Sequence, residues 1–591
     1  MEISFTHSES GDDSVPPTVV RNPLRLLVFG EFGLESTRGV HVLSDASDFR
    51  DVLKKCAPQL FFEVPNFLSR SPENLEVRLK LESLRDFSPA HVIDALDLTS
   101  RANALLNELL ALRGQKDPSA ALKRIATKYA ELHSMEAALR LCQRASATPA
   151  GPAPAAQPSR VSGGKQDEDG SVSRLLDMID LPGREEQAAD AMNKVIGQMG
   201  RNDKASAAVN STELNQATEE VRRLLGRQLD AVFHHPQFQQ AEALWRGVKF
   251  FVDRIDFRQG IQLELYNLPR TDLANGFAEG LDEADSEASS PLGAVFTAYG
   301  FSHEDAPLLQ NLAETAEAHQ VPLLSSLGSE FLDLNDPDND RLGFVDARLE
   351  KSQYIKYNSL RLKNPARWLA VAFNRFMLRA VHGEEDAQAP YKEGCSKASD
   401  HLWGDPVWAV AIAVARSFAG TGWPTEITGQ DEGRIEDLPL RTDARRRQLP
   451  IEFLLSQDDV RDLAHNGIIA LGAAPNKDSA FISFAPTIFR TKKDEGRNRN
   501  TGSFPYQLMV SRFLGVLATH KGPLTQISSG HELKAQLEKA FGEVISDSGA
   551  GASVEANVRP SGGGSGFDVA LSLRTGRGVL RGVSLDLNFT I

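Results

Sequence analysis

Cysteine is nearly absent. Cys56, Cys142 and Cys395 are the three in 591 residues, far apart and in no CxxC pair, so neither a disulfide framework nor a cysteine-paired zinc module is expected. Long apolar runs are also missing. The most apolar helical stretch, Val407 to Ala415, is stopped by Arg416, well short of the roughly 20 residues that a bilayer needs. It reads as a buried core helix, and no direct membrane insertion is expected. The opening MEISFTHSESGDD lacks a basic n-region and an apolar h-region, so the expected compartment is the cytoplasm. Positive charge is in deficit: 65 Lys+Arg stand against 80 Asp+Glu, a formal net charge of −15. Such a chain repels polyanions on average. Its two basic runs, Arg445-Arg446-Arg447 and Arg490 to Arg499, lack interleaved aromatics, so no nucleic-acid partner is expected.

Catalytic signatures are wanting too. No Walker A, HExxH, GxSxG or GxGxxG pattern occurs in a suitable context. The best local acid–base pair is His401 and Asp405 in HLWGDP, four residues apart. The apolar helix follows at once, which favours a turn and cap role for Asp405. GGGSG (Gly562 to Gly566) has no following lysine and reads as a hairpin connection. Neither an enzyme, a cofactor nor a metal is called for.

What is present divides the chain. Residues 145–173, ASATPAGPAPAAQPSRVSGGKQDEDGSVS, hold no large apolar side chain except valine and read as a flexible linker. It separates a small portion, 1–144, from a large one, 174–591. In the small portion Leu24 to Gly30 reads as a buried strand. Leu75 to Glu82 alternates as a half-exposed one, and Ser88-Pro89 opens a helix with Leu98, Ala102, Leu105, Leu109 and Leu112 on one face. The large portion has a helix from Ser211 to Phe233 and a strand from Ile261 to Tyr266. It closes on two alternating segments, FDVALSLR (Phe567 to Arg574) and VSLDLNFTI (Val583 to Ile591).

HHPQFQQAEALWRGVKFFVDRIDF (His234 to Phe257) gathers paired histidines, aromatics and aspartates. Phe238, Ala241, Trp245, Val248, Val252 and Ile255 fall on one helix face. Pro236 suits the first turn, placing His235 at the N-cap. His234 and His235 then lie roughly 25–30 Å from Asp253 and Asp256 along the axis, so the four cannot share a metal within this helix. The stretch reads as a buried scaffold helix.

That stretch also resembles the signature of the large sheath subunit of bacterial type VI secretion systems, TssC or VipB. So do HLWGDPVWAVAIAVARSFAGTGWPTEITG (His401 to Gly429), EDLPL (Glu436 to Leu440), SAFISFAP (Ser479 to Pro486) and FPYQLMVSR (Phe504 to Arg512). DFRDVLKKCAPQLFFEVPNFL (Asp48 to Leu68) and LRDFSPAHVIDALDLTSRANALLNELLALRG (Leu84 to Gly114) resemble the small subunit, TssB or VipA. Those subunits are normally separate chains; here a linker joins them. The resemblance implies an α/β (α+β), multi-domain contractile tail-sheath fold and no catalysis. It implies a helical homopolymer around an Hcp inner tube on a baseplate, contracting to drive the tube out. The same fold would also serve an extracellular phage-tail-like injection particle, and a soluble enzyme using His401 and Asp405 is the reading from another class. An intersubunit sheet of terminal strands is implied as well, with Ile3, Phe5, Val583, Leu585, Leu587 and Phe589 as pairing residues; pairing within one chain is the alternative. SVSRLLDMIDLPGREE (Ser171 to Glu186) resembles the helix that a ClpV-like AAA+ unfoldase recognises, with Leu175, Leu176, Met178 and Ile179 as anchors.

Overall fold

The structure, a computed structural model, describes residues 23–113, 119–132, 211–286, 290–384, 391–490, 499–546, 548–561 and 566–591. Ile3, Phe5, the linker and Leu175 to Ile179 lie outside these. The chain forms two compact units: Met1–Val64, Glu76–Ala95 and Leu229–Ile591 make the first, Pro65–Leu75 and Leu96–Gln228 the second.

The first unit is built on a mixed nine-stranded sheet. Its strands are β1 (Leu24–Gly30), β2 (Val40–Leu43), β3 (Ile261–Asn267), β4 (Ala294–Phe301), β5 (Leu323–Leu327), β6 (Leu369–Phe373), β7 (Arg434–Ile435), β8 (Ile468–Ala473) and β9 (Ala480–Ile482). They run in the order β7-β9-β8-β6-β5-β4-β1-β3-β2. The six central strands pair in parallel, and β2, β7 and β9 pair antiparallel at the margins. Strands covered on both faces need apolar residues at successive positions. LRLLVFG and LAVAF have them, and every residue of both is buried.

β1 pairs on both sides with strands far from it in sequence. Although it belongs to the small portion, it lies between β3 and β4, with Leu24 opposite Ile261 and Leu26 opposite Ala294. Arg25 is 3% exposed, and its guanidinium meets Glu264 of β3 at 2.6 and 2.9 Å and the carbonyls of Ala284 and Ser290. A buried pair of this kind survives because every polar atom is answered. A strand from the small portion is thus interior to a sheet whose other central strands come from the large one.

The scaffold helix runs Pro236–Val252 with His235 at its N-cap position and Pro236 in the first turn. No side-chain cap bond forms; the His235 ring instead stacks on Phe62, centroids 3.9 Å apart. Trp245, Phe238 and Val248 are fully buried. Gly247 is needed for packing: a Cβ there would collide with the Trp408 indole of the Pro406–Thr421 helix. That second helix is buried from Pro406 to Ala415, as its all-round apolarity requires.

In the second unit, helices Asp97–Ala111 and Ser119–Lys128 are tied by Glu108, which accepts from Lys128 Nζ at 2.6 Å and Tyr129 at 3.0 Å. The single helix expected from Ser88-Pro89 to Gly114 breaks at Leu96, whose backbone is extended. Gln228 binds both the Phe67 N–H (2.8 Å) and the Pro65 carbonyl (3.2 Å).

Candidate functional site

β10 (Ser553–Pro560), β11 (Phe567–Arg574) and β12 (Ser584–Thr590) form a separate antiparallel sheet with β11 in the middle. The two alternating segments therefore pair with each other inside one chain, Val569 opposite Phe589 and Leu573 opposite Leu585. The strands on either side of GGGSG pair antiparallel, Pro560 opposite Phe567; residues 562–565 themselves lie outside the described residues. The period-two pattern puts Val569, Leu571, Leu573 and Leu585 into a core with Phe513, Leu537 and Phe541 of the helices Phe504–Thr525 and Gly530–Ser546. Val583, Leu587 and Phe589 are partly buried against the same core.

Pairing geometry separates the strand's two jobs. Phe567 and Ile591 exchange both backbone hydrogen bonds, at 2.9 and 3.0 Å. In an antiparallel ladder the bonded pairs recur at every second residue, so Leu585, Leu587 and Phe589 direct N–H and C=O groups to β11. Ser584, Asp586, Asn588 and Thr590 direct theirs to the other edge, where no strand pairs among the described residues. The opposite margin of the sheet is blunted: β10 ends in Pro560, and its Ala556 N–H donates to Glu538 at 3.2 Å. An open edge seeks a partner strand, and β12 carries it. Leu585, Leu587 and Phe589 lie on the packed face, while Asp586 and Asn588, which alternation could have revealed, hold the edge-facing backbone groups.

His401 and Asp405 line a cleft of about 960 Å³ at the C-terminal ends of β1, β4, β5 and β6, with Glu31, Gly300, Gly328 and Arg375. Asp405 caps the Pro406–Thr421 helix, accepting from the Val407 N–H at 2.9 Å, and its other oxygen lies 2.7 Å from Ser326 Oγ. Desolvation of this partly buried group pushes its carboxyl up to about 6 against those hydrogen bonds. Ser326 Oγ also lies 2.9 Å from the Tyr299 carbonyl. One hydroxyl proton cannot serve both neighbours, which favours an Asp405 that keeps its own proton. Burial lowers His401, and the charge of Arg441 lowers it further. Both oxygens of Asp405 are occupied by structure, as its expected cap role requires.

Against known proteins, residues 18–140 match the type VI secretion system VipA family and residues 215–488 match VipB, the EvpB-type tail sheath N-terminal domain. The type VI secretion system sheath protein TssC1 of Pseudomonas aeruginosa is 22% identical over 372 residues, 56% of this chain and 74% of that one. Among solved structures, the contracted helical sheath of the anti-feeding prophage is 10% identical, with a TM-score of 0.32 over 58% of this chain and 78% of that one. The sheath tail protein Lin1278 of Listeria innocua gives 10% and 0.31 over 56% and 61%. The class is that of tail-sheath proteins, structural and not enzymatic. Within it, the chain belongs to the type VI secretion sheath families, a VipA segment followed by a VipB segment in one polypeptide.

Proposed function

We propose that the chain is the protomer of a contractile type VI sheath in the cytoplasm. It polymerises into a helical homopolymer around an Hcp inner tube, is seated on a baseplate, and contracts to propel the tube and its effectors from the cell. The observation that carries this reading is the co-occurrence of both sheath families in one chain. Among the described residues no helix is long and apolar enough to cross a membrane. The VipA segment favours the type VI machine over an extracellular phage-tail-like particle. Free energy stored in an extended lattice replaces catalysis, as in other rearrangements between packed states.

In this reading the open edge of β12 accepts a terminal strand from a neighbour by β-augmentation. EISFTH would supply it, with Ile3 and Phe5 joining the face of Leu585, Leu587 and Phe589. Each cross-strand pair contributes only about 0.2–1 kcal/mol, and repetition along a tube makes the lattice. Full-length protein expressed alone should give hollow tubes in negative-stain micrographs, and monodisperse protomers at all concentrations would refute the assignment. Leu175, Leu176, Met178 and Ile179 are the proposed anchors for a ClpV-like unfoldase. A peptide spanning Ser171 to Glu186 should bind it at least ~10-fold more tightly than one with Leu175→Asp and Leu176→Asp, a gap of about 1.4 kcal/mol. Equal affinities would sink that role.

A further inference from the structure

His234 follows directly on the Ser211–Phe233 helix, and the segment from Tyr391 to Asp400 folds against it. Its Nε2 has no hydrogen-bond partner and faces Glu393 Oε1 at 3.4 Å, while Nδ1 lies 3.9 Å from Asp400 Oδ1. The free thiol of Cys395 completes a trio in which one ligand atom from each residue lies within 4.8 Å of the others. The Cys395 Sγ contact to the Asp400 carbonyl is long, at 3.8 Å.

The segment is held from both sides. Asp230 Oδ1 accepts from Tyr391 Oη (2.8 Å) and the Gly394 N–H (3.0 Å). Glycine suits this approach, since a Cβ at 394 would stand 2.8 Å from Asp230 Oδ2 and push that carboxylate aside. Arg379 grips Glu393 at 2.7 and 3.1 Å, and the His382 N–H adds a bond to Glu393 Oε2 at 2.9 Å. Asp400 Oδ2 takes the N–H groups of Ser396 (2.9 Å) and Lys397 (2.8 Å). Outer partners of this kind fix ligands before a metal arrives. Carboxylates outnumber cations here: Asp230, Glu242, Glu393 and Asp400 stand with Arg246 and Arg379, which pair with Glu242 and Glu393, and with His234, which faces Glu393 and Asp400. Two ligands on one tetrahedral zinc, each bonded at 2.0–2.1 Å, stand about 3.3–3.4 Å apart. His234 Nε2 and Glu393 Oε1 already have that spacing.

We propose that His234 Nε2, Glu393 Oε1 and Cys395 Sγ form a binding site for a divalent ion of the zinc class, with water in the fourth position. Nitrogen, carboxylate and thiolate are the donors that zinc takes. Sulfur bonds at about 2.3 Å and would stand about 3.6 Å from the other two donors, so from separations within 4.8 Å a movement of Cys395 Sγ of up to about 1.4 Å closes the set. On binding, the thiol proton and any proton on His234 Nε2 leave to solvent and the sulfur pair goes to the metal; His234 then contributes a neutral nitrogen and Glu393 its carboxylate. Because the thiol must lose its proton to bind, affinity rises with pH. The ion is structural, fastening the helix end to the Tyr391–Asp400 segment, and its detection does not depend on sheath assembly.

The test uses the purified full-length chain loaded with zinc or cobalt(II) and desalted. About one metal per chain is expected by mass spectrometry, with a sulfur-to-cobalt charge-transfer band. Cys395→Ser should abolish the band, His234→Gln should weaken binding at least ~10-fold, and Cys142→Ser should change neither. The wild-type spectrum decides without any variant: a folded chain lacking the thiolate band overturns the proposal. So does equal metal retention in Cys395→Ser, which would mean adventitious binding.

Discussion

The nine-stranded sheet and the three-stranded terminal sheet lie in the same unit and are built by opposite rules. β1 is buried along its whole length and paired on both sides. β12 is buried or partly buried on alternate residues and, among the described residues, paired on one side. A strand enclosed by neighbours and covered on both faces cannot exchange partners without dismantling the core. A strand with one free edge can gain a partner while its own ladder stays intact. The lesson is a division of labour: continuous apolarity marks the part of a protomer that must not change, and alternation marks the part that can bind the next one.

Breaking the interior side of this comparison should cost most. Arg25→Ala strands Glu264 in the sheet, and loss of one member of a buried pair is worth about 3–5 kcal/mol. Urea denaturation followed by tryptophan fluorescence should show it. The double replacement Arg25→Met with Glu264→Leu should cost clearly less, and an equal loss would mean that the pair is not what binds β1 to β3.

Asp405 sharpens the interior from another direction. Its folded value of about 6 lies above the ordinary 3.8. Between those values the folded state holds more protons than the unfolded one, so stability falls as pH rises through that window. An asparagine in its place would keep the cap without the charge. Asp405→Asn should therefore gain on wild type progressively from pH 4 to 6, by up to about 3 kcal/mol, and then level off. Melting temperatures at stepped pH test this, and a constant offset would place the protonation elsewhere.

The smallest expected effect on folding is the most telling for assembly. Leu587→Pro removes a ladder bond to β11 and a partly buried side chain, so about 1–3 kcal/mol is expected to go. Asn588→Pro removes only an edge-facing N–H, which a sheet margin tolerates. It should cost under ~1 kcal/mol yet abolish long tubes in micrographs. Normal tubes from Asn588→Pro would show that the β12 edge is not the joint. Truncating Val583 to Ile591 is the poorer test, because Leu585 belongs to the core.

Local patterns were legible because their causes are local. Continuous apolarity at Leu24 to Gly30, alternation in the last two segments, and the all-round apolar helix after Asp405 each follow from which faces water reaches. The Leu96 break was not legible, since nothing near it in sequence forbids a continuous helix. Nor was Glu242 as a fully buried residue: its partners are Arg246, one turn on, and Arg379, distant in the chain.

By itself, the sequence determined the elements, the sheath kinship through its ordered blocks, and which faces of the terminal strands are apolar. Tertiary structure alone decided what meets across long separations. It set β1 between strands more than 200 residues away and chose β11 as the partner of β12. It also brought His234 to Glu393 and Cys395. Periodicity reports burial along one element, whereas pairing and ligand geometry depend on the relative placement of several, which no single stretch encodes.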